Sequence, residues 1–310
     1  MTTSSKPFKT PLLAAFFCCA ALLAGCRSPG GLVELPVEAC EQSTTPIASV
    51  QGPGDRTALS GESVKIRGIA TWIEPGAGVY IEELASDADP ATSNALYLDN
   101  AELASMLLKG ERIVVDGTVT ELGEGPDTLT ALTTITGMRV CERGVPLPIS
   151  ETRLPLDRDE REAMEAMTVS FRQALAVTDV YRFSDDRIRL SASHILPAPT
   201  EVARPGADAR KQARLNQDAS IHVLLDTDDQ QVYSVGATVM AAEGLLGNDG
   251  RYQQLWLRDP LPYTPVVQYR NPPPGEGETR IVSFNLRNYF NGDGQGRGFP
   301  TERGARSAAA

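Results

Sequence analysis

The sequence predicts an all-β protein, and three observations support that fold class. Glycine and proline are abundant, with 27 and 22 of the 310 residues, which suits a chain with many tight turns. Short stretches that alternate apolar and polar residues recur between those turns, as in strands with one buried face. Charged residues make up 22% of the chain and apolar residues 41%, a balance typical of a folded rather than a disordered protein.

The first 26 residues predict an export signal rather than part of the fold. Lys6 and Lys9 precede a compact apolar stretch that is too short to span a membrane comfortably. The stretch ends in Leu-Ala-Gly-Cys at residues 23–26, which resembles a bacterial lipobox. The resemblance implies lipidation of Cys26 and, since Arg27 follows it, delivery to the outer membrane or cell surface. An ordinary cleaved signal with an incidental cysteine is the alternative.

Residues 27–45 are predicted to be a polar tether, and residues 46–143 a first domain. Strands and one helix are expected in this domain in the order Ser63–Trp72, Val79–Leu84, Ala95–Leu98, helix Ala101–Leu108, Ile113–Leu122 and Leu129–Cys141. Five strands with a short helix between the third and the fourth is the order of an OB-fold barrel. The domain is therefore expected to be such a barrel.

Two cysteines remain once the export signal and Cys26 are set aside. Cys40 and Cys141 lie at the two ends of the predicted barrel, in a chain expected to reach an oxidising compartment. We expect a disulfide bond between them. Two buried free thiols are an alternative, and so is a metal site, although two cysteines without nearby histidines make a poor one.

A second β-rich block is predicted after a proline-rich, charged linker at residues 144–167. Its strands are expected at Val169–Phe171, Leu175–Tyr181, Ile188–Ser193, Ile221–Leu225, Thr238–Leu246 and Tyr252–Leu257. This block, residues 168–260, is expected to be a second small, OB-like barrel with a basic loop or helix at 203–216. A second proline-rich linker at residues 261–278 follows it.

The segment 279–310 carries a resemblance to a known family. The run SFNLRNYFNGDG at residues 283–294 resembles the first strand of the endonuclease/exonuclease/phosphatase superfamily, the fold of DNase I. Together with GPGDRTALSGESVKIRGI, SDADPATSNALYL and LPLDRDEREAMEAMTVSF, it is similar to bacterial secreted endonucleases that place an OB-fold region before the nuclease domain. The resemblance implies a secreted, metal-dependent hydrolase of phosphodiester bonds with DNA as its substrate.

The resemblance assigns one catalytic residue to this chain, Asn285, which in the family helps to position a divalent ion, usually Mg²⁺, and the scissile phosphate. Asn285 as a strand-end cap is the alternative. The family's later motifs are absent from the 310 residues, and His194 and His222, the chain's two histidines, precede the nuclease segment and are expected on a surface or inside a barrel. The chain is therefore expected to be truncated at the start of the nuclease domain, to hold no firmly bound metal and to be inactive alone.

Two groups of residues are candidates for contact with nucleic acid. OB-folds bind single strands with aromatic and basic residues on their second and third strands, which here points to Arg67, Trp72 and Tyr80. The two aromatic rings sealing one end of the barrel is the alternative. The second group is basic and consists of Arg204, Arg210, Lys211 and Arg214, with a solvated insertion as its alternative. Because the net charge is −11, binding to DNA is expected to be weak and salt-sensitive.

Two functions follow from these observations. The first is an accessory, nucleic-acid-positioning region of a secreted endonuclease, whose catalytic core is missing from this chain. The second is a surface lipoprotein without enzymatic activity, whose OB-fold domains bind a protein or a saccharide.

Overall fold

The computed structural model describes residues 32–265 apart from residues 86, 88, 125–127, 183–185, 193, 226–230 and 249–252. The chain divides into two compact units, Met1–Val266 and Val267–Ala310, and every described residue belongs to the first. The predicted export signal with Cys26, and the nuclease-like segment with Asn285, lie outside the described residues.

The described part of the chain is mostly β and forms two sheets, which confirms the predicted fold class. The first sheet has six strands: β1 Val33–Glu34, β2 Ser63–Glu74, β3 Gly78–Glu82, β4 Ala95–Leu98, β5 Arg112–Leu122 and β6 Leu129–Glu142. The second has nine: β7 Ser150–Thr152, β8 Thr168–Phe171, β9 Leu175–Asp179, β10 Arg187–Ala192, β11 Ser220–Leu224, β12 Thr238–Val239, β13 Ala242–Asn248, β14 Gln253–Leu257 and β15 Tyr263–Thr264.

Six short helical segments accompany the described strands. They are a 3₁₀ helix at Val37–Glu41 and the α-helices α1 Ile47–Gln51, α2 Ala101–Met106, α3 Arg158–Glu162, α4 Pro199–Val202 and α5 Ala207–Asp218. Helix α2 begins at Asn100, whose side chain accepts a hydrogen bond from the backbone N–H of Leu103 and so satisfies one of the free donors of the first turn. Helix α3 begins with a capping box between Asp157 and Glu160.

Strands β2 to β6 close into a barrel. Strand β2 pairs with both β3 and β5, β3 pairs with β4, and β6 joins β4 to β5. The β4–β6 pairing is parallel and the other four are antiparallel, with α2 between β4 and β5. This is the five-stranded Greek-key arrangement of the OB-fold, in agreement with the sequence pattern. Its interior is filled by apolar side chains such as Ile66, Ile81, Leu98 and Val115.

The second sheet has the order β15-β12-β9-β10-β11-β14-β13-β8-β7. The pairings β11–β14 and β7–β8 are parallel, and the others are antiparallel. Among the described residues no pairing joins β7 to β15, so this sheet is open, whereas β2 to β6 form a closed barrel. One core cluster combines its apolar residues, including Phe171, Leu190 and Leu255, with Tyr80 and Tyr97 of the barrel.

The N-terminal part of the described chain is fixed to the barrel. Cys40 and Cys141 form the predicted disulfide bond, with their Cα atoms 5.7 Å apart. The Arg139 guanidinium donates from Nη1 to the backbone carbonyl of Leu35, at 2.8 Å, and to Glu34. Residues 33–41 belong to the segment that the sequence predicted to be a tether. In the structure they form β1 and the 3₁₀ helix, and these contacts hold both against the barrel.

Candidate nucleic-acid interface

The outer face of β3 and β4 is the surface that OB-folds use for ligands, and here it is buried. Side chains alternate along each strand, so Val79 and Ile81 fill the barrel while Tyr80 points out of it. On β4, Leu96 fills the barrel in the same way and Tyr97 lies on the outer face. Both outward tyrosines pack against the second sheet, so this face is already occupied by the protein itself.

Four aromatic residues meet at this junction, and we call them the aromatic seam: Trp72, Tyr80 and Tyr97 from the barrel and Trp256 from β14. The Tyr80 ring centroid lies 4.7 Å from that of Tyr97 and 5.6 Å, edge to face, from that of Trp256. The Trp72 and Trp256 centroids are 6.2 Å apart. These separations are those of favourable aromatic pairs, so the seam stabilises the contact between the two sheets.

Two glycines make the close packing of the seam possible. A Cβ at Gly247 on β13 would lie 2.7 Å from the indole ring of Trp256, so only glycine leaves room for that ring. A Cβ at Gly78 would lie 2.6 Å from the Tyr97 ring and 2.3 Å from the carbonyl oxygen of Leu98. Both positions are where the chain must approach an aromatic side chain closely.

The structure corrects the prediction for Tyr80. Only 2% of its surface is exposed, so no ring face is open to stack on a base. Trp72 and Tyr80 lie close together, since they are cross-strand partners on β2 and β3. Trp72 is half-buried, and the ammonium group of Lys109 lies 4.3 Å from its ring centroid. The pair packs between the barrel and the second sheet rather than forming an exposed platform.

Two buried glutamates link the barrel to the second module beside the seam. Glu82 of β3 accepts a hydrogen bond from the backbone N–H of Thr168 at 3.0 Å, and Glu165 accepts one from the backbone N–H of Thr130 at 3.1 Å. Burial raises the pKa of the Glu82 carboxyl from its ordinary 4.5 to about 8. Burial, together with the nearby Glu162 and Glu121, also raises the pKa of Glu165. A neutral carboxyl is thus favoured at both positions.

Arg67 serves the fold in this structure. Its Nη2 atom donates to the backbone carbonyls of Cys40, at 2.7 Å, and Gln42, at 2.9 Å. These bonds hold the segment beside the disulfide onto β2. Because they engage the guanidinium group, Arg67 contributes to N-terminal attachment, and its assignment to nucleic acid remains a prediction.

The basic segment contains helix α5, and its cations face solvent. Arg210, Lys211 and Arg214 are exposed, whereas Ala209 and Asn216 on the other side of the helix are buried. Arg204 is also exposed and precedes the helix. Within the described residues, none of the four cations is paired with a carboxylate. The structure therefore places Arg210, Lys211 and Arg214 of the second predicted group on the exposed surface of α5, and Arg204 in the exposed segment before it.

A polar cavity that the sequence did not reveal lies at the C-terminal end of α5. Its volume is about 380 Å³, and its lining includes Arg158, Arg161, Arg189, Gln217, His222 and Gln253. The residues come from α3, α5, β10, β11 and β14, which are far apart in the sequence. The sole signal in the sequence was that several of them are cationic in an acidic protein. His222 is half-buried and lies at this cavity, outside the barrel.

No group of three or more His, Cys, Asp and Glu side chains suited to a metal occurs among the described residues. Asn285, the one residue assigned to Mg²⁺ by resemblance, lies outside them, so no ligand set can be built around it. In the same described ranges, no helix has the length and apolar character needed to cross a membrane. The disulfide bond is compatible with an exported protein.

No family model and no curated protein matches the chain. Solved structures do match, and one of them is an OBody bound to hen egg-white lysozyme. It is 17% identical over 34% of this chain and 96% of that chain, with a TM-score of 0.25. The OB-fold assignment for the first module rests on its own strand order and pairing.

Proposed function

We propose that this chain is the accessory, nucleic-acid-positioning region of a secreted, metal-dependent endonuclease, and that α5 provides its contact with the phosphate backbone. The observation that carries the proposal is the exposed basic surface of α5 on a protein with a net charge of −11. The usual OB-fold surface is covered by the second sheet, so contact through β3 and β4 is not part of the proposal.

The geometry of α5 suits contact with successive phosphates. Arg210 and Arg214 are four residues apart and thus share one face of the helix, separated by about 6 Å along its axis. Lys211 lies beside Arg210, and Arg204 extends the basic surface beyond the N-terminus of the helix. Contacts of this kind are independent of base sequence and lose strength as salt displaces them.

Salt-dependent binding of a labelled single-stranded oligonucleotide to the purified chain tests this proposal. For single strands, the slope of log K against log salt is about −0.7 for each phosphate contact. The double variant Arg210→Gln/Arg214→Gln should therefore reduce the magnitude of the slope by about 1.4. The matched control Arg153→Gln/Arg172→Gln removes the same charge from exposed positions elsewhere and should leave the slope unchanged.

Three outcomes decide between the hypotheses. Loss of slope in the α5 variant alone supports the proposal. Equal slopes in both variants, or no binding at low salt, would remove it and favour the second hypothesis, a lipoprotein that binds a protein or a saccharide. A plasmid-cleavage assay with Mg²⁺ and an EDTA control addresses the expected lack of activity, and metal-dependent cleavage by the pure chain would contradict it.

The finer localisation belongs to the same proposal. We propose that Cys26 carries a lipid that anchors the protein at the outer membrane or cell surface, with Mg²⁺ used by the nuclease domain of the family rather than by this region. Metabolic labelling with a radioactive fatty acid should mark the wild-type chain and leave Cys26→Ser unlabelled. Equal labelling of both would show that Cys26 is not the lipidated residue.

A further inference from the structure

The cavity at the end of α5 has a fixed, half-buried cation, Arg161, in its wall. The Nε atom of Arg161 donates to the carbonyl of Leu156 at 3.1 Å. Its Nη2 atom donates to the carbonyls of Gln217, Asp218 and Ser220 at 3.0, 3.2 and 2.8 Å. These bonds cap the C-terminal end of α5 and leave the guanidinium group with a single orientation.

Arg161 keeps one side of its guanidinium group for the cavity. Within the described part of the chain, its Nη1 atom has no hydrogen bond and the residue forms no ion pair. Burial lowers the pKa of Arg161, and the positive charge of Arg189 lowers it further, while Asp218, Glu160 and Asp157 oppose the shift. A half-buried cation without an ion-pair partner can form charge-assisted hydrogen bonds with an anion.

A second cation and an imidazole converge on the same space. The Nε atom of Arg189 donates to the Ser220 hydroxyl at 2.8 Å, and the backbone carbonyl of Ser220 accepts from Arg161. His222 is the cross-strand partner of Arg189 on β11, so both side chains are on one face of the second sheet. Arg161 and Arg189 are thus held in place by hydrogen bonds to the same residue, Ser220.

The remaining lining sets the net charge and the size of what can enter. Arg158 also lines the cavity, and its Nη2 atom forms an ion pair with Asp55 at 2.7 Å. The carboxylates of Glu162 and Asp218 line the cavity together with Arg161, Arg189 and His222. A volume of about 380 Å³ lies within the range of small-ligand sites, so a phosphate group and the sugar that carries it have room.

We infer that this cavity binds a phosphate monoester group, held by Arg161, Arg189 and His222. Arginine is suited to this role because its planar fork matches the oxygens of a phosphate. Arg210, Arg214 and Gln217 are spaced along one face of α5, so the basic surface of the helix leads to the cavity. The terminal phosphate of a nucleic-acid strand is the source that this path favours; for that identity the inference rests on the proposed function, whereas phosphate binding itself does not.

The test compares three probes on the purified full chain: inorganic phosphate, and one short oligothymidylate with either a 5′-phosphate or a 5′-hydroxyl group. Anisotropy should show that the 5′-phosphate strengthens binding about tenfold, the effect of one charge-assisted hydrogen bond. In His222→Gln and Arg189→Gln this gain should disappear, and in the exposed control Arg153→Gln it should persist. Circular dichroism checks that each variant is folded.

Each result bears on one of the two claims. Arg210→Gln/Arg214→Gln should weaken both oligonucleotides in parallel and keep the gain from the 5′-phosphate, which separates the helix surface from the cavity. If neither oligonucleotide binds but calorimetry detects inorganic phosphate in the wild type and not in His222→Gln, the cavity stands and the nucleic-acid function fails. Two outcomes would contradict phosphate binding by the cavity. The first is equal binding of the two oligonucleotides together with no detectable binding of inorganic phosphate. The second is binding of inorganic phosphate that is equal in the wild type and both cavity variants.

Discussion

The barrel and the second sheet bury their apolar side chains in different ways. The barrel closes β2 to β6 into a ring and fills it with its own side chains, so its interior core is self-contained. The second sheet shares its core with the outer face of the barrel, through Tyr80, Ala95, Tyr97 and Ala131. The dependence is therefore unequal, because the second sheet needs the barrel to cover its apolar face.

This difference explains why the outer face of β3 and β4, the surface with which OB-folds bind ligands, is not exposed to solvent. On β3 and β4 every residue is buried, which requires cover on both faces of the strands. The barrel interior covers one face and the second sheet covers the other. A surface that would bind a ligand in an isolated barrel has become an interface within one compact unit, and the exposed basic residues lie elsewhere, on α5.

The largest expected effect comes from removing the disulfide bond of the barrel. Cys40 and Cys141 are 101 residues apart, and closing a loop of that length contributes about 4–5 kcal/mol in the chain-entropy model. We expect Cys40→Ser/Cys141→Ser to lower the free energy of unfolding by about that amount, as measured by urea titration. Because the second sheet depends on the barrel, both should unfold in one shifted transition. A wild-type midpoint that does not move under reducing conditions would contradict this.

The next largest effect should come from the aromatic seam. Trp256→Ala removes the indole ring that contacts Trp72 and Tyr80, and we expect a cost of about 3 kcal/mol. Leu215→Ala is the control, since Leu215 is 50% exposed on α5 and its loss should cost less than about 0.5 kcal/mol. Urea titration followed by tryptophan fluorescence and circular dichroism measures both. Two separated transitions in Trp256→Ala would show that the modules are more independent than their shared core implies.

A pH-dependent effect should follow the ionisation of Glu82. Its pKa is 4.5 when the chain is unfolded and about 8 when it is folded, so the folded state holds the proton more tightly. The free energy of unfolding should therefore fall as the pH rises from 4.5 to 8 and level off above. Glu82→Gln keeps an acceptor for Thr168 and should flatten this dependence. Parallel pH profiles of the urea midpoint in wild type and variant would assign the dependence to another group.

The smallest effect is local to the barrel. Asn100→Ala removes the cap of α2 and should cost about 1 kcal/mol. Asn100→Asp keeps an acceptor at the same position and should retain most of the stability, which separates the cap from other roles of the side chain. Thermal unfolding of the three proteins measures the difference, and equal midpoints for Ala and wild type would show that the cap is not needed.

Much of the fold was predictable from local patterns. The alternation along β2 and β5, the turn around Gly76 and the asparagine before α2 are local signals, and the structure places strands and a helix there. The pairing of Cys40 with Cys141 was predicted because no other cysteines remained for the oxidised chain. The shift of the predicted helix to Ala207–Asp218 is small and keeps Arg210, Lys211 and Arg214 exposed.

The sequence by itself determined the all-β class, the order of the barrel strands and the basic character of α5, because each depends on residues close together in the chain. Tertiary structure alone decided that Tyr80 is covered, although the uninterrupted apolar run of β4 was a signal that both of its faces are buried. It also decided that Arg161, Arg189 and His222 line one cavity. These contacts depend on how elements that are distant in the sequence pack together. A local sequence pattern does not indicate which other element will cover an outward-facing side chain.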